Sequence, residues 1–556
     1  MIISALDNGK TIYTSWRNGE EKVEYIENFM PYFYISVNSK RPTSYKPSKF
    51  IERDFVYEEG DWYNLEGTKL VRVYVESAKD IKIAKKSFIQ TYEADVPLSF
   101  RYAVDTLGSL PEYKMRKWYW DMEWQQGGEY HDCITTIFVY DNYYEKYYHW
   151  VWFPTYDKIS RYINTDFDFP DGYIFDNEKH MIESFMDTMQ IKNPDMLISW
   201  FGNFADVPKL LERACALGLN PLAMSPVSEV KGVVPTKDGH KFLYGEKGFG
   251  SIEQPIKGRI TLNLDMAFER QWNDSQRGTL PSLSLDYVSE LVLNRKKLVS
   301  EKFPDPNEFY RRAWLEDTET YLKYAQIDVE LMVELDELNY CSEAIIALQR
   351  LLIAPFDACF YASHMGSIYF MRNATWIAPT GEKVEKRQEY DGAMIYDPLS
   401  EETNGLHLNV AAFDFAGLYP SMMIARNISW ETKSEEPTKF GVNILTPRDF
   451  SITDREQMLY YKTDELGLLP RAVLELKELR NEYKRLMKEA RENDDKNEYV
   501  KWYNNQMAVK RLMASFYGIV AFQGFGWADV DLAASITASA REAIRLAAFK
   551  AKELEI

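Results

Sequence analysis

Cysteine is scarce in this sequence, which has only Cys133, Cys215, Cys341 and Cys359 among its 556 residues. The four lie far apart and form no Cys-x-x-Cys pair, which argues against a disulfide framework and against a zinc knuckle. Buried, reduced thiols in a cytosolic protein are the simpler interpretation. We therefore expect a cytoplasmic protein, located in the host cytoplasm if its source is a virus.

Long apolar runs are also missing. No apolar stretch approaches the ~18 residues that a membrane-spanning helix needs. The first residues, Met1-Ile2-Ile3-Ser4, are followed by Asp7, Lys10 and Arg17 rather than by an apolar segment, which does not fit a secretory signal peptide. The sequence thus predicts neither a signal peptide nor a membrane partner.

Positive charge does not predominate, since 66 Lys and Arg residues face 85 Asp and Glu residues, a formal charge of −19. That balance excludes a simple basic coat for nucleic acid. It leaves open an enzyme that holds divalent cations on carboxylates, or one with a basic groove in an acidic body. At ~150 residues per domain the length predicts about three or four domains, and 46% hydrophobic residues allow each domain a core.

The hydrophobic pattern changes along the chain and predicts a mixed α/β protein of several domains. Before residue 105, short segments alternate apolar and polar residues, which is typical of a strand-rich domain. Mixed strands and helices up to residue 340 are typical of an α/β sheet domain. Two amphipathic helices with a charged turn between them predict an antiparallel helical hairpin. The expected elements are strands at 117–124, 135–140, 147–153, 196–200 and 408–415, helices at 178–190, 207–217, 467–489 and 499–515, and a hairpin or loop over 231–258.

Two acids at alternate positions, Asp121 and Glu123, lie on the first strand of the α/β part. Alternation places both carboxylates on one face of that strand. Because two such acids repel each other, a divalent cation bound by oxygen ligands relieves the repulsion, and Mg²⁺ or Mn²⁺ suits them. By itself the pattern is weak, because an Asp-x-Glu arises by chance in a chain with 27% charged residues.

Further acids strengthen the metal interpretation. Asp206 begins a predicted helix, where an acid also serves as an ordinary cap. Tyr324 and Asp328 are four residues apart on another helix, so the phenol and the carboxylate share one face. Four acids with a tyrosine can hold two metal ions ~4 Å apart and activate water against a phosphodiester, with the tyrosine orienting the water.

Two more groups of residues suit phosphate chemistry. Asp414 lies at the end of a predicted strand, followed by the turn Phe415-Ala416-Gly417, and is a plausible metal ligand. Arg480 and Lys484 lie one turn apart on the first helix of the hairpin, and Lys510 lies on the second. Three converging cations suit the binding of a polyphosphate. The alternative interpretation is that these cations only make two helix faces soluble and bind no ligand.

These residues resemble the motifs of the family B DNA polymerases, in the same order and through nearly the whole chain. The matching stretches are Trp120-Asp121-Met122-Glu123, Asp206, Tyr324 with Asp328, Tyr390-Asp391-Gly392-Ala393, Asp414 to Ser421, Lys510 to Gly518, and Leu532 to Glu542. The first three resemble the exonuclease motifs. The fourth resembles the element between the proofreading and polymerase modules, and the rest resemble two polymerase motifs and a palm helix.

The resemblance implies a domain order. The implied domains are an N-terminal domain (1–105), an RNase H-like 3′–5′ exonuclease domain (106–340), a linker returning to the N-terminal domain (341–390), the first part of the palm (391–465), helical-hairpin fingers (466–522) and a palm helix (523–556). It also implies a DNA primer-template and deoxynucleoside triphosphates as substrates, Mg²⁺ or Mn²⁺ as cofactor, and a sliding clamp as partner.

The resemblance further implies a role for each candidate residue. Asp121, Glu123, Asp206 and Asp328 would bind the exonuclease metals beside Tyr324, and Asp414 the polymerase metals. Tyr419 would pack under the sugar, where a 2′-hydroxyl would collide. Arg480, Lys484 and Lys510 would grip the triphosphate, and Tyr517 with Gly518 would shape the pocket of the nascent base pair.

The sequence departs from the family pattern at several points. In the second exonuclease motif the Asn is displaced, to Asn203, and Ala514 and Gly417 stand where Asn and Ser are common in the polymerase motifs. The third polymerase motif, Tyr-Gly-Asp-Thr-Asp, and the thumb are not found. We therefore expect a second polypeptide to supply them, although a truncated chain fits equally well.

Two other functions compete with a two-chain proofreading polymerase. One is a free-standing 3′–5′ exonuclease with a vestigial polymerase module, against which the intact Arg480, Lys484, Lys510 and Tyr419 argue. The other is a non-catalytic DNA-binding scaffold, which gives no reason to retain four exonuclease acids.

Overall fold

The structure is a computed structural model that describes residues 1–155, 172–274, 278–382, 384–394, 405–406, 408–410, 414–447 and 455–554. It divides into two compact units. Unit 1 combines Met1–Phe29 with Thr106–Asp357, and unit 2 combines Met30–Asp105 with Ala358–Ile556. The first 105 residues therefore contribute to both units, while the domain boundaries drawn from the resemblance stay a prediction.

Unit 1 is built on a six-stranded sheet. Its strands, in spatial order, are Gly172–Phe175, Lys146–Trp152, Ile134–Asp141, Lys117–Trp124, Met196–Ser199 and Ile260–Asn263. The three strands between Lys117 and Trp152 run antiparallel, and the outer strands join them in parallel. The strand Met196–Ser199 pairs in parallel with Lys117–Trp124. The loop that follows Ser199 therefore lies next to the acids of the strand Lys117–Trp124.

The helices of unit 1 cover this sheet and supply its core. Trp118, Trp120 and Trp150 are fully buried and their rings meet Phe185 of the helix Glu178–Lys192. The helix Thr318–Asn339 packs against the strands Lys117–Trp124 and Ile134–Asp141. The other helices are Asp206–Ala216, Leu264–Asp274, Leu285–Leu293, Pro306–Glu316 and Cys341–Leu352.

A smaller sheet in unit 1 comes from the first residues of the chain. It contains the strands Ile2–Ala5, Thr11–Asn18 and Glu21–Asn28. Arg17 Nε donates to Asp195 Oδ2 at 2.6 Å, and both side chains are buried. Lys22 Nζ lies 3.4 Å from Asp195 Oδ1. Because a buried carboxylate without a cation is costly, the first strands stabilise Asp195 at the start of the strand Met196–Ser199 through both cations. The hairpin predicted within 231–258 is also present, as the strands Val233–Thr236 and Gly239–Phe242.

Unit 2 contains short sheets and long helices. Its strands are Tyr32–Ser36, Ser44–Ser48, Ile51–Asp54, Val56–Tyr63, Lys69–Tyr74, Lys433–Ser434, Phe440–Asn443 and Met458–Tyr461. Its helices are Ile81–Ala84, Leu98–Thr106, Ala362–Asn373, Leu418–Ala425, Leu468–Glu492, Lys496–Ala521 and Val530–Glu553. The predicted hairpin is confirmed by Leu468–Glu492 and Lys496–Ala521, which pack against each other. The second helix begins earlier than predicted because the Asp495 side chain caps it by accepting from the Glu498 backbone N–H.

One predicted strand is not found where the structure describes the chain. The expectation was a strand over 408–415, but residues 408–410 and 414–415 are not in a strand, and residues 411–413 lie outside the described part. The mixed α/β multidomain class is confirmed by the two units together. In the described part of the chain, no helix has both the length and the apolar character needed to cross a membrane.

Candidate active site

Three of the predicted acids converge in unit 1. Asp121 and Glu123 project from the same face of the strand Lys117–Trp124, and Asp328 comes from the helix Thr318–Asn339. One carboxylate oxygen from each residue lies within 4.8 Å of the others. Strand alternation and helix packing therefore bring together residues that lie about 200 positions apart in the sequence.

Asp206 lines the same cleft but is not among those three closest acids. It begins the helix Asp206–Ala216 in the loop after Met196–Ser199, as predicted, and is 5% exposed. Its charge acts on Asp121, whose pKa it helps to raise. The cleft measures about 410 Å³, within the ~300–1,000 Å³ range of small-molecule sites. All four acids and Tyr324 line it.

The pKa values of the acids in this cleft lie above their ordinary values. Burial, and then the charge of Asp328, raise the pKa of Glu123 to about 8. Burial raises the pKa of Asp206 to about 7. Asp121 shifts upward as well, first through burial and then through Asp206 and Glu123. Several carboxylates confined in one place disfavour their own charged forms.

The residues fit a divalent cation. All the converging ligands are carboxylate oxygens, the donor type that Mg²⁺ and Mn²⁺ prefer. Asp328 Oδ1 is buried and has no hydrogen-bond partner, a costly state that coordination would relieve. Asp121, Glu123 and Asp328 would hold the ion, with Asp206 beside them.

A divalent cation is expected to stabilise the chain more at pH 8.5 than at pH 6. The raised pKa of Glu123 means that the folded chain binds more protons than the unfolded one above the ordinary pKa of Glu, so metal-free stability falls as the pH rises towards 8. Cation binding requires the ionised acids and reverses that loss. At ~100 times its dissociation constant the cation adds about 2.7 kcal/mol. Thermal unfolding with and without Mn²⁺ at both pH values measures this stabilisation. Equal increases in the unfolding temperature at the two pH values would contradict the expectation.

Sequence reasoning missed Lys297, which enters the acid cluster. Its ammonium lies 2.5 Å from Asp328 Oδ2 and 3.1 Å from the phenol oxygen of Tyr324. Burial lowers the pKa of Lys297, but the charges of Asp328, Asp121 and Glu123 outweigh it and raise the pKa overall. The only sequence signal is the basic run Arg295-Lys296-Lys297 after the helix Leu285–Leu293. Such runs are usually solvated, so the cation could not be placed from the sequence.

The structure assigns the displaced Asn203 to the fold rather than to the chemistry. Its side chain is fully buried, and Nδ2 donates to the carbonyls of Gly250 at 3.0 Å and Glu253 at 2.8 Å. Trp200, Phe201 and Ala205 of this loop line the cleft instead, and Phe201 is 41% exposed. Asn203 therefore fixes the loop around 250–253. This role in the fold accounts for an Asn at position 203, which differs from the position of the Asn in the family motif.

Replacing Asn203 by alanine is expected to lower the free energy of unfolding by about 2 kcal/mol, because it removes the hydrogen bonds of a buried amide to the carbonyls of Gly250 and Glu253, each worth ~1 kcal/mol. Urea unfolding of unit 1, followed by tryptophan fluorescence, measures the change. Asn307→Ala is the control, since Asn307 is exposed on the helix Pro306–Glu316. Equal unfolding energies for the two variants would show that Asn203 does not hold the loop.

The candidate polymerase residues lie in unit 2. Asp414 is exposed and precedes the helix Leu418–Ala425, which carries Tyr419. Gly417 at the start of that helix has φ +72°, a conformation that glycine adopts without strain, so the departure from the Ser of the family pattern has a backbone cause. The rings of Tyr419 and Tyr517 lie 4.6 Å apart between centroids, and Tyr517 shares a 2.9 Å hydrogen bond with Tyr390.

The three candidate cations converge on the helical hairpin. The charges of Arg480 and Lys510 lower the pKa of Lys484, the effect of Arg480 being the larger. Arg480 also donates to Gln506 Oε1 at 3.3 Å across the hairpin. Within the described part of the chain no acid forms an ion pair with these three cations, and their mutual repulsion suits an anionic ligand. Gly518 lies in the second helix, where an added Cβ would meet only Ala362 Cβ, at 3.7 Å, so packing alone does not demand glycine.

Two family models match the chain. Residues 119–287 match the model described as DNA polymerase family B, exonuclease domain. Residues 368–552 match the model described as DNA polymerase family B. Together they cover more than half of the chain, and the first contains Asp121, Glu123 and Asp206 while the second contains Asp414 and the cations of the hairpin. The chain belongs to DNA polymerase family B. It carries an exonuclease domain and a polymerase domain of that family, and is an enzyme of that class.

Similar proteins support the membership of family B. A DNA polymerase of Pyrococcus glycovorans is 25% identical over 100% of this chain and 68% of its own length. One of Thermococcus gorgonarius is 24% identical over 97% of this chain and 66% of its own length. The family B DNA polymerase of Pyrobaculum calidifontis has a similar fold, with a TM-score of 0.69 at 19% identity over 99% of this chain and 71% of that one. The chain thus spans about two thirds of these family B relatives.

Proposed function

We propose that this chain is the large subunit of a family B DNA polymerase with 3′–5′ proofreading exonuclease activity. The observation that carries the proposal is the convergence of Asp121, Glu123 and Asp328 within 4.8 Å in one cleft. Phosphodiester hydrolysis at carboxylate-bound metals requires such a group of acids. Its substrates are a DNA primer-template and deoxynucleoside triphosphates, and its place of action is the cytoplasm, that of the host for a viral protein.

For the exonuclease reaction, the chain's residues bind and orient the 3′ end. Asp121, Glu123, Asp206 and Asp328 would hold Mg²⁺, or Mn²⁺ in its place, which supplies an activated water and stabilises the leaving oxygen. Tyr324, held by Lys297 at 3.1 Å, orients the attacking water. The aromatic residues Trp124 and Phe201 line the same cleft without being buried, and their faces suit stacking by unpaired bases.

For the polymerase reaction, the chain supplies part of the site. Asp414 binds metal, Tyr419 lies under the sugar, and Arg480, Lys484 and Lys510 neutralise the triphosphate. Tyr517 and Gly518 border the nascent base pair. These roles rest on the family match over 368–552 and on the proximity of the three cations.

We also propose that a second polypeptide completes this site and that a sliding clamp assists it. The described residues contain one group of three acids, histidines or cysteines at metal-binding separation, and Asp414 is not in it. A single carboxylate holds two metal ions with a triphosphate poorly. The match covers 68% and 66% of the length of two relatives, so each has further residues outside it.

Primer extension and end trimming test the proposal together. The chain alone is expected to trim single-stranded 3′ ends with Mg²⁺ and to extend a primer feebly. Adding a polypeptide that carries Tyr-Gly-Asp-Thr-Asp, such as the product of the reading frame immediately downstream, should restore extension. Trimming without extension in the presence of that polypeptide would favour a free-standing exonuclease, an alternative supported by the one complete acid group among the described residues. Absence of both activities would refute the enzyme assignment.

A further inference from the structure

Tyr310 contacts Tyr324 in the exonuclease cleft, and the proposed mechanism has so far given Tyr310 no role. It lies on the helix Pro306–Glu316 and lines the cleft together with the acids. Its phenol oxygen is 2.9 Å from the phenol oxygen of Tyr324, and the two rings meet edge to face with centroids 6.1 Å apart. The charge of Glu123 acts on the Tyr310 phenol, so the hydroxyl pair lies beside the acid cluster.

The hydrogen bonds of the Tyr324 hydroxyl can be counted. A phenol oxygen accepts two hydrogen bonds and donates one. The Lys297 ammonium has no acceptor atom, so its 3.1 Å contact with Tyr324 is a donation to the phenol oxygen. One acceptor position and the proton of Tyr324 remain. Asp328 lies one helical turn further on, and a hydrogen bond from Tyr324 favours its charged form.

We propose that Tyr310 is a positioning residue of the exonuclease site, which donates to Tyr324 and so turns the Tyr324 hydroxyl proton towards the acid cluster. The inference rests on the proposed exonuclease function. With the opposite direction, Tyr324 would use its proton on Tyr310. The Tyr310 proton would then have no acceptor among the hydrogen bonds of the described residues.

As a consequence, the Tyr324 hydroxyl is a hydrogen-bond donor that points in a fixed direction at the reaction centre. With both acceptor positions filled by Lys297 and Tyr310, the Tyr324 hydroxyl can act towards the cleft only as a donor. A donor in that place binds one oxygen, that of Asp328 or, in its stead, that of the attacking water or of the scissile phosphate. Tyr310 itself stays one hydroxyl away from the reacting atoms and acts through Tyr324.

A double-mutant cycle on the full chain tests the inference. Tyr310→Phe removes only the hydroxyl, and we expect kcat for trimming a single-stranded 3′ end to fall about fivefold with KM unchanged, which corresponds to ~1 kcal/mol. In a Tyr324→Phe background the same change should have no further effect, because the residue through which it acts has gone. Calorimetric binding of Mn²⁺ should be the same for Tyr310→Phe as for the unaltered chain.

Tyr321→Phe is the matched control. Tyr321 lies on the helix of Tyr324, but its hydroxyl meets Thr135 Oγ1 at 2.8 Å instead of the cleft. Its removal should leave kcat unaltered. Equal losses from Tyr310→Phe in both backgrounds, or weakened Mn²⁺ binding, would overturn the positioning role while leaving the exonuclease assignment intact. Trimming that persists in Asp121→Ala with Glu123→Ala, or an unaltered chain that does not trim, would defeat the exonuclease assignment and this inference together.

Discussion

Replacing both Asp121 and Glu123 by alanine is expected to reduce Mg²⁺-dependent trimming of single-stranded 3′ ends by ~10³-fold or more. The two carboxylates provide two of the three oxygens that meet within 4.8 Å, and Asp328 with the more distant Asp206 cannot fix a cation in a defined position. The measurement is the release of mononucleotides from an end-labelled oligonucleotide at saturating Mg²⁺. Binding of the same oligonucleotide should change little, because the aromatic walls of the cleft remain.

Asp187→Ala controls for the loss of negative charge. Asp187 is exposed on the helix Glu178–Lys192 of the same unit and does not line the cleft. Its removal should leave trimming unaltered. The double variant should also be folded and more stable than the unaltered chain at pH 8.5 without metal, because it no longer buries mutually repelling acids. Trimming that survives the double substitution would refute the nuclease site.

Replacing Asp414 by alanine is expected to abolish primer extension by the completed enzyme, again by ~10³-fold or more, and to leave trimming unchanged. Asp414 is the proposed metal ligand of the polymerase site, and it is not part of the acid group of unit 1. Extension of a labelled primer, measured in the presence of the second polypeptide, gives the polymerase rate. Trimming by the same preparation gives the internal reference.

Glu435→Ala is the matched control for Asp414, since Glu435 is an exposed acid elsewhere in unit 2. Its extension rate should equal that of the unaltered chain. If Asp414→Ala and Glu435→Ala extended equally well, the first polymerase motif would have been assigned wrongly. Trimming that fell in parallel with extension would instead indicate a folding defect.

The sequence was informative where chemistry follows local periodicity. Asp121 and Glu123 share a face because a strand alternates, and Tyr324 and Asp328 because a helix repeats after four residues. Each pair could therefore be predicted from spacing alone. That the two pairs meet followed only from the family resemblance, since spacing carries no information about which strand a helix covers.

Lys297 and Tyr310 could not be predicted for the same reason. Lys297 reaches Tyr324 from the loop after the helix Leu285–Leu293, and Tyr310 reaches it from the helix Pro306–Glu316, so their roles arise from tertiary packing. The reverse holds for Asn203. Its place in an exonuclease motif suggested a role in the reaction, but its amide donates to the carbonyls of Gly250 and Glu253. The strand expected over 408–415 failed at its described residues, because an alternating pattern there also suits exposed chain.

The division of unit 1 into Met1–Phe29 and Thr106–Asp357 has a consequence for synthesis of the chain. Arg17 leaves the ribosome roughly 10–40 s before its partner Asp195, at about 5–20 residues per second. During that interval its strand can pair only with its neighbours Ile2–Ala5 and Glu21–Asn28, and Met30–Asp105 emerges in between. A fragment that begins at residue 106 would bury Asp195 without this guanidinium, so excision of the nuclease part has to keep the first 29 residues.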